Sequence, residues 1–241
     1  MIPKILLQVS REPFLDEVNA GWAERNGCGW KIDWYDDERI LEYFDENPLP
    51  EFPNIVDVFN SFTGAHKSDL FRYYYLYLNG GVFCDSDLML TGDLSELDID
   101  GHDHLFTVCD LDMNVNAEVS LNGENFLLGT TVFNGFIGAK PNSEIIYDAL
   151  VNAYTTSPET LHQHYLYFCQ EMYHIMVKHK DKYDIKLFEE YMIGGIDNVS
   201  HVIESGVDGA QNVIAVHFFE EDKYIPFDYI EYIKNIKINK G

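Results

Sequence analysis

Asp85 and Asp87 stand two positions apart, directly after the apolar run Val82-Phe83-Cys84. In an extended chain, residues i and i+2 point to the same side, so both carboxylates can meet one cation. Hard carboxylate oxygens suit Mg²⁺ or Mn²⁺, which usually keep coordination positions open for phosphate oxygens. An isolated Asp-x-Asp in so acidic a chain also reads as a solvated turn. Upstream, Asp69 and Arg72 are three apart, the spacing that shares one face of a helix. Their neighbours Leu70, Phe71, Tyr73, Tyr74, Tyr75, Leu76, Tyr77 and Leu78 make that helix apolar nearly all round, which is the pattern of a buried helix. An acid and a base facing each other there form either a structural ion pair or a ligand site.

The elements that must position these groups follow from the pattern around them. The spacing predicts a helix from Ser68, a good N-cap, to Leu78, stopped by Gly80. Gly80-Gly81 then turns the chain into the strand Val82–Cys84. Ile5–Val9 and Trp30–Tyr35 read as strands, and further strands fit 105–109, 131–138, 185–188 and 213–216. Helices fit 14–26, the stretch through Ile40, Leu41 and Phe44, 143–154, 159–179 and 228–236. Helices alternating with short buried strands argue for an α/β fold with a mainly parallel central sheet. In such sheets ligands bind in the crevice at the carboxyl ends of the strands, where Asp85 and Asp87 stand. The patterns mix throughout 1–241, so one domain is expected, with the helical stretch 143–180 as an addition.

Composition narrows the partners. With 16 Lys plus Arg against 41 Asp plus Glu, the formal net charge is -25. A surface that negative repels phosphate backbones and anionic lipid, so no nucleic acid is expected as a partner. An anionic ligand would need a metal or a few placed cations. No apolar run approaches the length of a transmembrane segment. The four cysteines, Cys28, Cys84, Cys109 and Cys169, form no CxxC pair and read as buried reduced thiols of an intracellular protein. His102-Asp103-His104 and His162-Gln163-His164 have metal-like spacing without supporting carboxylate or Cys clusters, so they read as ordinary histidines. Tyr165 and Tyr167 read as core.

The run Ala65-His66-Lys67-Ser68-Asp69-Leu70-Phe71-Arg72-Tyr73, then Leu76-Tyr77, then Gly80-Gly81-Val82-Phe83-Cys84-Asp85-Ser86-Asp87, resembles the A-x-x-S-D-x-x-R-Y-x-x-L-Y-x-x-G-G-x-Y-x-D-x-D signature of DXD-containing sugar transferases. It is most similar to glycosyltransferase family 32, with the glucosylating clostridial toxins more distant. Ile2-Pro3-Lys4-Ile5 with Gln8, Trp30 to Asp37, Asn134-Gly135-Phe136-Ile137-Gly138-Ala139 with Pro141, and Val216-His217-Phe218 resemble other family segments in the right order. Phe83 departs from the family's Tyr, and Leu7 from its opening His.

The resemblance implies a GT-A fold, a Rossmann-like nucleotide-diphospho-sugar transferase domain. It implies a retaining transferase of polysaccharide or glycoconjugate synthesis. The donor would be a nucleoside diphosphate sugar, UDP- or GDP-linked, and the acceptor a glycan or glycoconjugate. Asp85, Asp87 and the late His217 would hold Mn²⁺ or Mg²⁺. Asp69 and Arg72 would hydrogen-bond the donor sugar, with Asp85 and Ser86 beside the ribose and phosphates. Gln8, Tyr35 and Asp36 would lie by the base and ribose, and Asn134 and Gly135 along the acceptor side. His217 also reads as an ordinary partly buried histidine, and Asp69–Arg72 as a purely structural pair. Two other functions remain open from sequence: a catalytically inactive nucleotide-sugar-binding protein of the same fold, and a metal-dependent phosphohydrolase. A chain opening at Met1 without an anchor is expected to be a soluble, cytoplasmic enzyme of bacterial or viral origin.

Overall fold

The computed structural model describes residues 1–11, 30–86, 88–90, 99–109, 117–121, 124–128, 131–192, 199–205 and 211–218, several strand residues by their backbone alone. The helices expected at 14–26 and 228–236, and Asp87 itself, lie outside the described residues. The described strands are β1 (Ile5–Val9), β2 (Lys31–Tyr35), β3 (Gly81–Cys84), β4 (Leu88–Leu90), β5 (His104–Cys109), β6 (Ala117–Leu121), β7 (Glu124–Leu128), β8 (Thr131–Ala139), β9 (Ile185–Met192), β10 (Val199–Ser205) and β11 (Gln211–Phe218). The described helices are α1 (Asp37–Glu46), α2 (Ile55–Ser61), α3 (Ala65–Asn79), α4 (Glu144–Thr155), α5 (Pro158–Gln163) and α6 (Tyr167–His179).

Nine strands form one sheet in the order β2-β1-β3-β8-β5-β9-β10-β11-β4, and β6 and β7 form a separate hairpin. The fold is α/β, as expected. β2, β1, β3, β5, β9 and β11 share one direction, while β8, β10 and β4 oppose them. The sheet is therefore parallel in its main direction but mixed in its pairing. β8 enters antiparallel between β3 and β5, and that insertion shapes the site described below.

The central strands are buried on both faces, and neighbouring residues divide between two cores. Leu7, Phe83, Phe106 and Ile137 face the cluster that holds the helices' apolar residues. Leu6, Val82, Leu105 and Phe136 face a second cluster with Ile2, Trp30, Leu88, Phe188 and Ala215. This alternation is the two-sided burial of strands in an α/β sheet. On the first face α4 packs against α3 and α6, and α6 packs on β8. No helix among the described residues is long and apolar enough to cross a membrane.

Three local expectations change. Gly64, not Ser68, precedes the first turn of α3, so Ser68 stands inside the helix. The expected helix over 159–179 is two helices with a break at 164–166. The Tyr165 carbonyl accepts from His66 Nε2 at 3.0 Å, which draws that segment out toward α3. Tyr165, expected in the core, is 68% exposed. The α2 helix was not foreseen beyond the prolines at 47–53, although Phe52, Ile55 and Phe59 carry its buried spacing.

Candidate functional site

The turn Gly80-Gly81 sets the site's geometry. Gly80 has φ 67° and Gly81 φ 112°, both left-handed. A Cβ on Gly80 would lie 2.8 Å from the Ala139 carbonyl and from Pro141, and one on Gly81 would lie 2.7 Å from the Ile5 carbonyl. Helix and strand thus reverse in two residues, tight against β1 and β8. From Arg72 to Gly80 the helix rises about 12 Å at 1.5 Å per residue. From Gly81 to Asp85 the strand returns about 13 Å at 3.3 Å per residue. Arg72 and Asp85 therefore meet at one level, at the carboxyl end of β3.

They meet as a bonded cluster. Arg72 Nη1 donates to Asp69 Oδ1 at 2.8 Å, and Nη2 to Asp85 Oδ1 at 3.2 Å and Ser68 Oγ at 3.4 Å. The guanidinium lies 3.7 Å over the centroid of Phe83. The Arg72 and Asp69 side chains are 3% and 10% exposed, and Asp85 is 31% exposed, so only the last opens outward. Burial pushes the Asp69 carboxyl above the ordinary aspartate range, while Arg72, His66 and Asn134 pull it back. Burial also lifts the Cys169 thiol to about 12, helped by nearby Asp69, and raises the Tyr73 phenol. Both groups therefore stay protonated at neutral pH. With its two aspartates ionised, the Asp69–Arg72–Asp85 trio carries one net negative charge.

β8 supplies the rest. Its pairing with β5 jumps from Phe106↔Ile137 to Thr107↔Phe133, which leaves Asn134, Gly135 and Phe136 as a bulge. The bulge carries Asn134 to the cluster, where Nδ2 donates to Asp69 Oδ1 at 3.1 Å and to the Tyr73 hydroxyl at 2.7 Å. The Gly135 carbonyl accepts from the Asp85 amide at 2.8 Å. A Cβ on Gly135 would lie 2.6 Å from Asp85 Oδ2. The roles of Asn134, bonded to Asp69, and of the Phe83 ring under Arg72 were not read from sequence. The bulge that turns Asn134 inward has no local signal, and the Phe83 contact requires knowing that α3 folds back onto β3.

The other expected residues divide. Gln8 is buried on β1, and its Nε2 has no hydrogen-bond partner among the described residues, as is true of Arg72 Nε and Asn134 Oδ1. Asp36 accepts from the Arg39 amide at 2.8 Å as the N-cap of α1. Tyr35 packs against Tyr43, Phe71 and Tyr75, and burial with nearby Asp33 lifts its phenol to about 12. Ser86 is exposed beside Asp85. The backbone of His217 pairs with Leu88, the residue after Asp87, so the register of β11 and β4 brings the late histidine's strand to the DXD segment. Asp87 and the ring of His217 lie outside the described residues.

The donor chemistry at Asp85 fits a hard divalent cation. It is a carboxylate at a strand end, 31% exposed, and the missing side chain of Gly135 lets the Phe133 ring and Asp85 Oδ2 close together beside it. Among the described residues no group of three His, Cys, Asp or Glu is arranged to hold a metal. Two of the other histidines have structural partners: His102 Nδ1 bonds Asp184 at 2.7 Å, and His104 Nε2 bonds Ser143 Oγ at 2.5 Å.

Known proteins resemble parts of this chain. Residues 22–105 match the model of the glycosyltransferase sugar-binding region containing a DXD motif. That span contains Asp69, Arg72, Asp85 and Asp87 but not Gln8, Asn134 or His217. An uncharacterized glycosyltransferase of Acanthamoeba polyphaga mimivirus is 28% identical over 150 residues, 60% of this chain and 53% of that protein. The chain thus aligns with about half the length of this relative. The solved structure of PaToxG glycosyltransferase superposes with a TM-score of 0.44 at 14% identity, covering 75% of this chain and 70% of that one. The resemblance read from Ala65 to Asp87 is thereby borne out: residues 22–105 are similar to the sugar-binding region of the DXD-containing glycosyltransferases.

Proposed function

We propose that the chain is a metal-dependent retaining glycosyltransferase. It would move a sugar from a UDP- or GDP-linked donor to a glycan or glycoconjugate, within one GT-A domain spanning 1–241. The observation that carries this reading is the cluster of Asp69, Arg72, Asp85 and Asn134 at the carboxyl end of β3, within and beside the matched sugar-binding region.

Arg72 presents forked donors and Asp69 acceptors, a combination suited to the hydroxyls of one sugar. Asn134 donates to the same Asp69 oxygen as Arg72, and the Phe83 ring lies against the guanidinium. Both contacts fix the donor-binding groups before substrate arrives, so little reorganisation is needed at reaction. Asp85, Asp87 and His217 would hold Mn²⁺ or Mg²⁺, which when bound neutralises the leaving nucleoside diphosphate. Gln8, Tyr35, Asp36 and Ser86 would line the base, ribose and phosphates.

The test is a panel of UDP-glucose, UDP-galactose, UDP-N-acetylglucosamine and GDP-mannose, assayed for release of nucleoside diphosphate with Mn²⁺ and with EDTA. Release from at least one donor, stopped by EDTA and restored by Mn²⁺, is expected. Release of inorganic phosphate from nucleotides, without sugar release, would instead establish a phosphohydrolase.

A further inference from the structure

Arg39 stands in the first turn of α1, just past the carboxyl end of β2. Its guanidinium lies 5.1 Å from the centroid of the Trp34 ring and 5.3 Å from that of Tyr35. Both rings lean inward from this edge strand. Trp34 Nε1 donates to Ser10 Oγ, the residue after β1, at 2.7 Å, and the Tyr35 ring packs on Phe71 of α3 at 4.9 Å. A cation seated on both rings is held at the crevice end of the sheet. Register sets its distance from the DXD segment. β1 pairs Val9 with Tyr35 and Leu7 with Phe83, so Tyr35 stands level with Asp85, two strands away. Two strand spacings are roughly 10 Å, the span of a nucleoside diphosphate from its phosphates to its base.

The guanidinium keeps its hydrogen-bonding edge. Three acids precede it, yet no described carboxylate pairs with it: Asp36 accepts from the Arg39 amide as the N-cap, and Asp37 pairs with Lys67 at 2.6 Å. Aromatic rings take the flat face of a guanidinium and leave its in-plane N–H groups to a ligand. We propose that Arg39 reads the base of the donor and selects guanine over uracil, which makes the donor a GDP-linked sugar. The proposal rests on the transferase reading above. Forked N–H groups match two adjacent acceptors, and guanine presents O6 and N7 side by side. Uracil has no such pair, because its two carbonyl oxygens flank the N3–H donor.

The test is calorimetric titration of GDP, UDP, IDP and 7-deaza-GDP, each with Mn²⁺, into the parent, Arg39→Lys and Arg39→Met. In the parent, GDP is expected to bind about tenfold more tightly than UDP, the scale of one bidentate base contact. IDP keeps O6 and N7 and is expected to match GDP, whereas 7-deaza-GDP lacks N7 and is expected to fall toward UDP. Neither Lys nor Met reproduces the fork, so both variants are expected to bind all four nucleotides within about twofold of one another. Arg39 is exposed, and both variants are expected to unfold near the parent temperature. Equal affinity for GDP and UDP in the parent, a preference for UDP, or a GDP preference that survives in both variants would overturn the base reading. So would an equal loss of GDP and UDP affinity in the variants, which would make Arg39 a phosphate contact. A parent that binds no nucleotide with Mn²⁺ would overturn the transferase reading itself.

Discussion

Gly135→Ala adds one methyl group at the most crowded point of the site. Its Cβ would lie 2.6 Å from Asp85 Oδ2 and 2.2 Å from Phe133 Cζ. Ordinary contact begins near 3.4 Å, so the Asp85 carboxylate must retreat by about 0.8 Å and the Phe133 ring by more. Two consequences separate. Overpacking costs about 1–3 kcal/mol, a fall in Tm of several degrees for a chain of this size. Displacing Asp85 by nearly 1 Å loosens its bond to Arg72 and is expected to lower donor turnover about 10²-fold, the usual effect of such misplacement. The assay pairs thermal unfolding with Mn²⁺-dependent donor hydrolysis, in the single variant and in Phe133→Leu/Gly135→Ala. In the double variant the ring clash is relieved while the carboxylate clash remains, so stability is expected to recover and turnover is not. Full activity in the single variant, or turnover that returns together with stability, would refute the account of Asp85.

Arg72→Lys keeps the charge but cannot bridge Asp69, Asp85 and Ser68 at once. It is expected to cost donor turnover about 10²-fold while changing affinity for the bare nucleoside diphosphate far less; equal losses in kinetics and titration would make Arg72 a phosphate contact. His104 is fully buried, stacked on Phe106, and burial lowers its pKa from 6.5 to about 3. Between those values the unfolded chain takes up a proton that the folded chain refuses, so stability falls as pH drops below about 6.5. Going from pH 7 to pH 5 this site alone costs about 2 kcal/mol. Urea unfolding of His104→Gln is expected to show that much less pH dependence than the parent, and equal slopes would contradict it.

Much of the site was legible because it is local in sequence. Asp69, Arg72, Asp85 and the double glycine lie within one helix, turn and strand, and helical and strand periodicities suffice to bring them together. The rest depends on pairings between distant segments. β8 runs antiparallel between β3 and β5, and a parallel reading of the strands does not foresee it. Its bulge sends Asn134 to Asp69, a contact that the sequence resemblance does not supply. Ser68 has the chemistry of an N-cap, but the helix begins one turn earlier, at Ala65, where His66 is buried against the Tyr165 carbonyl, and the hydroxyl accepts from Arg72 instead. Tyr165 fits an apolar helical stripe by spacing alone. It is exposed because the Tyr165 carbonyl is bonded to His66, about a hundred residues away in sequence.

In the proposed function, this crevice would bind a nucleoside diphosphate through a divalent cation held by the DXD aspartates. Calorimetric titration of UDP and GDP into the parent and Asp87→Asn, each with Mn²⁺ and with EDTA, tests it most directly. One nucleotide is expected to bind the parent about tenfold or more tightly with Mn²⁺ than with EDTA, and Asp87→Asn is expected to lose that difference while unfolding at the parent temperature. Equal affinity with Mn²⁺ and EDTA in the parent, or an undiminished Mn²⁺ effect in Asp87→Asn, would contradict it.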